Sequence, residues 1–151
     1  MIVFRIARTE YCDTSGEGAK IYGGRWNLPG YPVLYGCSTI ASALLERLTV
    51  DPELFASERY VLYSIMEFNC PDKLIVKPDL NELPVNWDSI PFNKATQEFG
   101  TKLIQSGIVC FAIPSVVDKT SLNFVINPLA GDFKKLTWKT YPLKLDKQII
   151  R

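Results

Sequence analysis

The chain has 151 residues, 47% of them hydrophobic, and its 17 basic residues nearly balance its 16 acidic ones. This length and apolar content predict one domain, residues 1–151, with a sizeable core and no room for a second domain. The net charge of +1 provides no overall field that would attract nucleic acid or an anionic membrane, although a local basic pocket is compatible with it.

The missing targeting signals indicate the compartment of the protein, and its residue types exclude several kinds of catalysis. No apolar run approaches the roughly 18 residues of a membrane span, and the first residues are too few for a signal peptide. We therefore expect a cytoplasmic protein whose four cysteines, none in a CxxC pair, are reduced. Histidine is absent, which excludes Ser-His-Asp, Cys-His and HExxH catalysis and removes the commonest zinc ligand. No metal site is expected, so the chemistry must use carboxylate, arginine, tyrosine, serine or amide groups.

The N-terminal segment predicts a strand followed by a polar loop. Residues 2–6 alternate between the two faces of a strand, and Arg5 shares a face with Val3. An arginine inside an apolar strand needs a partner or a bound anion. Arg5 is therefore expected either in a structural salt bridge or at an anion. Residues 9–20 are polar and contain two glycines, which predicts a loop able to fold over a ligand.

The central segment, residues 22–48, combines a glycine pair, an arginine, a short strand and a helix. The pair Gly23-Gly24 permits positive φ or close approach of a ligand, and Arg25 offers a planar fork of donors for phosphate or carboxylate. A tight turn with two prolines follows, and residues 33–35 predict a strand. Ser38 stands where the N-cap of the next helix is expected.

The helix predicted after Ser38 has an apolar stripe, and Glu46 lies on the opposite face. Glu46 is therefore either a solvated helix glutamate or a carboxylate that points into a cleft near Arg25 and Tyr35. The helical pattern does not decide between them. The stripe comprises Ile40, Ala41, Leu44, Leu45 and Leu48.

The second half predicts one further helix among short strands and loops, so the fold class is α+β. A short helical turn is expected at residues 51–53, and the proline-rich residues 77–92 predict a loop that Trp87 anchors to the core. The second helix begins at Asn93 and ends at Gly107. Its expected buried side comprises Phe92, Ala95, Phe99 and Leu103. Strands are predicted at residues 60–68, 74–76, 108–113, 123–127 and 136–141, with 143–145 closing the sheet.

Short motifs distributed over almost the whole chain occur in one order. They are Gly23-Gly24-Arg25-Trp26-Asn27, Pro29-Gly30, Pro32-Val33-Leu34-Tyr35, Ser38, Ala43 to Glu46, Pro114-Ser115, Asn123 to Pro128, and Pro142 to Asp146. A lone GGRWN would be weak evidence. The ordered set resembles a RES domain, the toxin component of a bacterial toxin–antitoxin pair.

The resemblance implies an ADP-ribosyltransferase-like fold, in which two small β-sheets with flanking helices surround a nucleotide cleft. It also implies cleavage of the nicotinamide–ribose bond of NAD+, by water or by inorganic phosphate as co-substrate, with no cofactor. Nicotinamide leaves as a neutral group from a cationic glycoside, so its departure needs no proton and the absence of histidine is no obstacle. A carboxylate beside the ribose would stabilise the oxocarbenium-like transition state.

The resemblance assigns catalytic roles to Glu46, Arg25 and Tyr35. Glu46 would face the ribose, Arg25 would hold phosphate, and Tyr35 would stack on nicotinamide. Substrate contacts are implied for Arg5, Gly24, Trp26, Ser115 and Asn123. The alternatives left open are a strand-end cap for Ser115, a turn-forming side chain for Asn123 and a core aromatic for Tyr35.

Two other functions stay open at this point: transfer of ADP-ribose to a protein or nucleotide, and a non-catalytic nucleotide-binding domain. Besides NAD+, the implied partner is an Xre-like helical antitoxin protein. No direct nucleic-acid or membrane partner is expected, and a homodimer is left open. RES domains often have a histidine shortly after the Asn-Pro pair, whereas Leu129-Ala130-Gly131 follows Asn127-Pro128 here. This departure could reduce turnover.

Overall fold

A computed structural model describes all 151 residues and confirms the α+β class. The helices are α1 (Glu17–Tyr22), α2 (Ile40–Val50) and α3 (Lys94–Gln105). The strands are β1 (Ile2–Arg8), β2 (Leu34–Cys37), β3 (Tyr63–Asn69), β4 (Ile75–Val76), β5 (Cys110–Pro114), β6 (Leu122–Ile126) and β7 (Thr137–Pro142). None of the helices is long and apolar enough to cross a lipid bilayer.

The seven strands form one curled sheet in the order β4-β5-β6-β2-β1-β3-β7. Only the β4–β5 pair is parallel. The join at the centre of the sheet is narrow, because β1 and β2 share the single registered pair Phe4 and Cys37, whereas β1 and β3 are registered along their whole length. The two small sheets implied by the resemblance are therefore two halves of one continuous sheet.

The two faces of the sheet bury different side chains. One face holds a cluster that draws on both halves of the sheet and includes Val3, Phe68 and Phe124. The other face is divided: α2 covers Ile6 and Ile65, and α3 covers Phe111. A strip of sheet along β2 and β6 lies between the two helices, and this strip carries the candidate site.

Most predicted elements are present, with shifts of one to three residues at their ends. The N-cap of α2 is Thr39, whose side chain accepts a hydrogen bond from Ser42 N in a capping box, so the prediction of Ser38 was wrong by one residue. The start of α3 is confirmed at Asn93, whose side chain caps Thr96 N. Gly107, with φ of +89°, ends that helix as predicted.

The buried side of α3 differs from the prediction. Phe92 and Ala95 are exposed, and small residues, Thr96 and Gly100, are buried instead. Position 100 must be glycine, because a Cβ there would lie 1.9 Å from the Trp26 carbonyl oxygen. The helix therefore packs closely against the backbone of the GGRWN segment, which apolar periodicity could not indicate.

Four further predictions needed correction. Residues 17–22 form α1 where a loop was expected, and residues 60–62 belong to a 3-10 helix rather than to β3. The predicted helical turn at residues 51–53 is a turn closed by a hydrogen bond from Leu54 N to the Asp51 carbonyl oxygen, and it does not continue into a helix. Residues 143–145 do not form a strand. The four cysteines are free thiols, as expected.

Candidate active site

Glu46 reaches the strip between α2 and α3 although it lies on the polar side of its helix. Its Oε1 accepts hydrogen bonds from Ser115 Oγ at 2.7 Å and from Asn123 Nδ2 at 2.8 Å. Bonds to an ionised acceptor are the stronger kind. Oε2 makes no hydrogen bond within the protein, and the side chain lines a cavity. One carboxylate oxygen is therefore fixed, and the other is left for a ligand.

Ser115 follows β5 and is completely buried. Its hydroxyl oxygen accepts hydrogen bonds from the backbone N–H groups of Val117 at 3.2 Å and Asp118 at 3.0 Å. The single hydroxyl proton is donated to Glu46. Ser115 therefore orients Glu46 from beneath, and the substrate contact predicted for its side chain is not available in this structure.

Asn123 lies on β6 and contacts both Glu46 and the cavity. Its amide oxygen accepts a hydrogen bond from the Cys37 thiol at 3.4 Å. Burial, together with the negative charge of Glu46, raises the pKa of Cys37 to about 12, so the thiol stays protonated. Because the amide oxygen takes this proton, the amide nitrogen faces Glu46, which fixes the direction of the whole side chain.

Arg25 lines the same cavity and holds the loop segment above it, residues 87–92, which we call the roof segment. Its Nη1 donates to the carbonyl oxygens of Trp87 at 2.9 Å and Ser89 at 2.8 Å, and its guanidinium lies 5.8 Å from the centre of the Phe92 ring. Burial lowers the pKa of Arg25, and the nearby negative charge of Glu46 opposes that shift. Arg25 thus fixes the segment of residues 87–92 with one nitrogen, and its other N–H groups make no hydrogen bond within the protein.

Tyr35 supports the turn that carries Arg25. Its hydroxyl accepts a hydrogen bond from Trp26 N at 3.1 Å and donates one to the side chain of Asn27. Burial raises the pKa of Tyr35 above its ordinary value, so it remains a neutral donor. Gly24 is needed for this packing, because a Cβ there would lie 2.6 Å from the Tyr35 hydroxyl. These contacts give Tyr35 and Gly24 a positioning role, and the predicted stacking of Tyr35 on nicotinamide stays a prediction.

The prediction that Trp26 contacts substrate needs correction. Trp26 is 2% exposed and belongs to the core beneath α3. Its ring lies 6.3 Å from that of Trp87 and 6.0 Å from that of Phe99, measured between centroids. Trp87 anchors its loop as predicted, and the pair joins the roof segment to the core.

The cavity has a volume of about 240 Å³, with a polar floor and a largely apolar roof. Sites that enclose a drug-sized ligand usually measure roughly 300–1,000 Å³, so this one has room for a ring and a sugar rather than a whole dinucleotide. The lining comprises Arg25, Glu46, Thr49, Ile90, Pro91, Phe92, Val116, Val117 and Asn123. Sequence reasoning missed the apolar part, because residues 90–92 and 116–117 lie in loops without periodicity.

Arg5 does not line this cavity. Its Nε is buried without a hydrogen-bond partner, and the predicted alternative of a salt bridge is not formed. Burial, and then the positive charge of Arg47, lowers the pKa of Arg5. The structure therefore brings together Arg25, Glu46, Ser115 and Asn123 and leaves Arg5 at a second place.

Several known proteins are similar to this chain. The model of the RES domain family matches residues 2–146. A relative named Toxin Res from Photorhabdus laumondii is 30% identical, over 100% of this chain and 98% of its own length. A Sphingobium relative named Prs ADP-ribosylating toxin is 35% identical, over 85% of this chain and 81% of its own length. In the crystal structure of the M. tuberculosis MbcT-MbcA toxin-antitoxin complex, one chain has the same fold, with a TM-score of 0.76, 15% identity and coverage of 95% of this chain and 84% of that one.

Proposed function

Because this chain belongs to the RES domain family, we propose that it is a toxin that consumes NAD+ by cleaving the bond between nicotinamide and ribose. The observation that supports this most directly is the state of Glu46. Its carboxylate has one oxygen held by two donors and a second oxygen left for a ligand, beside an arginine and under an apolar roof. Such an arrangement suits a reaction that develops positive charge next to a carboxylate.

The chemistry needs few groups from the protein. As the bond to the cationic nicotinamide ring breaks, the bonding electrons move to the ring, which leaves neutral, and the ribose carbon becomes cationic. Glu46 would stabilise that cation electrostatically, and because Ser115 and Asn123 already orient it, little reorganisation is needed during the reaction. No other carboxylate lines the cavity, and none is required for a leaving group that takes no proton.

The roof suits the leaving group. Val116, Val117 and Phe92 surround a space of the size of one aromatic ring and one sugar, and an apolar wall favours a ring that becomes neutral over one that is charged. The pyrophosphate and adenosine would extend past Arg25, whose unpaired N–H groups suit phosphate oxygens.

A second candidate function uses the same cavity with a different acceptor. Attack by water gives ADP-ribose, attack by inorganic phosphate gives a phosphorylated ADP-ribose, and attack by a macromolecule gives ADP-ribosylation. The 35% identity to a relative named as an ADP-ribosylating toxin favours considering transfer. All three reactions would begin with cleavage of the same bond, and all three would use Glu46.

An antitoxin protein completes the proposal. A chain of the same fold occurs in a toxin-antitoxin complex, and a partner that covers the cavity would protect the host cell from NAD+ loss. We expect an Xre-like helical protein to inhibit the purified toxin. Ile90 lines the cavity and is 85% accessible. Substituting Ile90 should therefore disrupt that cover and abolish the inhibition.

The decisive experiment compares Glu46→Gln with Glu98→Gln. Both positions are helix glutamates, but Glu98 is exposed and belongs only to a loose ion pair with Lys94 at 3.9 Å. Glu46→Gln should lower nicotinamide release from NAD+ by on the order of 10²-fold or more, while the protein stays folded. Glu98→Gln should match the wild type. Equal turnover in the wild type and Glu46→Gln would remove Glu46 from the mechanism.

Product analysis distinguishes the acceptors. Free nicotinamide with ADP-ribose indicates hydrolysis, and a phosphorylated ADP-ribose that forms only when phosphate is present indicates phosphorolysis. Label transferred from adenine-labelled NAD+ to a protein or nucleotide indicates ADP-ribosylation. Unchanged NAD+ under all conditions would reject the enzymatic proposal in favour of a non-catalytic nucleotide-binding domain.

A further inference from the structure

Thr49 is the fourth polar residue that lines the cavity, together with Arg25, Glu46 and Asn123. It lies on α2, three residues after Glu46. Residues three apart on a helix share one face, with their Cβ atoms roughly 5–6 Å apart. Thr49 is exposed, so packing in the core does not explain why a β-branched residue with modest helix propensity stands there. The α2 wall of the cavity thus places Thr49 beside the Glu46 carboxylate.

The hydrogen bonds within α2 determine what the Thr49 hydroxyl can offer a ligand. A threonine hydroxyl has a single proton and two acceptor lone pairs. Thr49 Oγ1 lies 2.7 Å from the Glu46 carbonyl oxygen, and because a carbonyl oxygen can only accept, the hydroxyl donates its proton there. Thr49 can therefore only accept a hydrogen bond from a ligand. The same holds for Glu46 Oε2, since an ionised carboxylate has no proton to donate.

The donors of the cavity lie on other elements. Arg25 has N–H groups without a partner, and Asn123 Nδ2 has a second N–H besides the one that Glu46 accepts. These donors suit carbonyl and phosphate oxygens. Two neighbouring acceptors on α2 suit instead a ligand group with two neighbouring donors. Vicinal hydroxyls of a sugar provide such a pair, whereas a phosphate dianion or an apolar ring does not.

We propose that Thr49 is a further substrate-binding residue, which accepts a hydrogen bond from one ribose hydroxyl while Glu46 Oε2 accepts one from the adjacent hydroxyl. The site then takes ribosyl compounds in which both ring hydroxyls are free. In NAD+ this sugar is the ribose that carries nicotinamide, an identification that rests on the proposed function. A sugar held along α2 would direct the ring at its anomeric carbon toward the apolar wall of Val116 and Val117.

The first test replaces Thr49 by valine, which keeps the β-branched shape and removes the hydroxyl. Calorimetry should show affinity for ADP-ribose that is weaker by about three- to tenfold, as expected for the loss of one hydrogen bond. The KM for NAD+ should rise by a similar factor while kcat stays at the wild-type value, because a bond made equally in substrate and transition state affects KM alone. Thr49→Ser keeps the oxygen and should match the wild type.

The second test identifies the hydroxyl with two analogues of ADP-ribose, each of which lacks one ring hydroxyl of the terminal ribose. The wild type should bind one analogue more weakly by about three- to tenfold because the bond to Thr49 is lost. Thr49→Val should bind that analogue and ADP-ribose equally well, because the valine already lacks this bond. The other analogue, which lacks the partner of Glu46, should weaken binding by the same factor in both proteins.

Ser106→Ala is the matched control. The Ser106 hydroxyl donates to the Leu103 carbonyl oxygen at 2.7 Å, an equivalent bond at the exposed end of α3, and Ser106 does not line the cavity. This variant removes a hydroxyl of the same kind and should match the wild type in every measurement.

The outcomes distinguish this inference from the proposed function. Equal affinity and KM in the wild type and Thr49→Val would overturn the inference, as would two analogues that each weaken both proteins by the same factor. If Thr49→Val does not fold, Thr49→Ala removes the same oxygen and is judged in the same way. ADP-ribose binding that depends on Thr49 without nicotinamide release would support the inference and reject the proposed function. Neither binding nor release would reject both.

Discussion

Replacing Ser115 by alanine tests how far catalysis depends on the orientation of Glu46. The substitution removes one of the two hydrogen bonds to Glu46 Oε1 and leaves the N–H groups of Val117 and Asp118 without their acceptor. A hydrogen bond to a charged group contributes roughly 1.5–3 kcal/mol. We expect a loss of about 2–3 kcal/mol in the free energy of unfolding, which for a chain of this size corresponds to a decrease in Tm of roughly 4–12 °C.

The kinetic effect should appear in kcat alone. Asn123 still holds Glu46 at 2.8 Å, so we expect a decrease in kcat of about tenfold, equivalent to roughly 1.4 kcal/mol of barrier. Ser115 is completely buried and cannot touch NAD+, so the KM should not change. The assay is nicotinamide release as a function of NAD+ concentration, at a temperature well below the Tm of both proteins.

Ser121→Ala is the matched control. Its hydroxyl donates to Asp118 at 2.7 Å in the same turn but does not reach Glu46. This variant should lose a smaller amount of stability and keep the wild-type kcat. If Ser115→Ala also kept the wild-type kcat, Ser115 would only cap the turn. A raised KM with unchanged kcat would contradict its placement beneath Glu46.

Three further predictions concern packing, the roof and acid stability. Gly100→Ala should prevent stable folding, because its Cβ would lie 1.9 Å from a carbonyl oxygen, whereas Gly18→Ala, with open space around it, should be tolerated in thermal unfolding. Arg25→Lys should raise the KM for NAD+ and speed proteolysis of residues 87–92, because an ammonium lacks the planar fork that bonds two carbonyls of this segment; unchanged KM would remove Arg25 from substrate binding. The hydrogen bond from Tyr63 lowers the pKa of Asp51 below its ordinary 3.8, so charged Asp51 stabilises the fold above that pH and the stabilisation is lost as the pH falls through the lowered value. Asp51→Asn should therefore be less stable at neutral pH and show a flatter acid dependence of Tm.

Local signals were sufficient for much of the fold. The start of α3 at Asn93 was predicted from a side chain that caps backbone N–H groups, and its end from a glycine with positive φ. The apolar run that became β5 was predicted as an interior strand, and residues 109–113 are all buried. These features depend on neighbours within a few positions, which a single sequence contains.

The site depended on contacts that local patterns do not encode. Helical periodicity left Glu46 on a polar face, and its partners Ser115 and Asn123 are 69 and 77 residues away. The order of the family motifs, rather than periodicity, predicted that these three residues matter. That same resemblance assigned Trp26 to the substrate, whereas its bulk belongs to the core. A motif marks residues that a site needs without separating those that touch the ligand from those that hold the turn.

The location of the charges determines which reaction the site can perform. The cavity holds a single carboxylate, so under the proposed NAD+ cleavage it would stabilise the cationic ribose without a second carboxylate to activate a nucleophile on the opposite face, as inverting glycosidases have. The acceptor must then be reactive by itself or be delivered by another group. Inorganic phosphate, which is already an anion, would meet this need, whereas water would have to be activated by a group outside the cavity. Product analysis with and without phosphate therefore shows which kind of acceptor this single-carboxylate site uses: phosphorylated ADP-ribose would indicate an acceptor that is reactive by itself, and ADP-ribose alone would indicate water activated by another group.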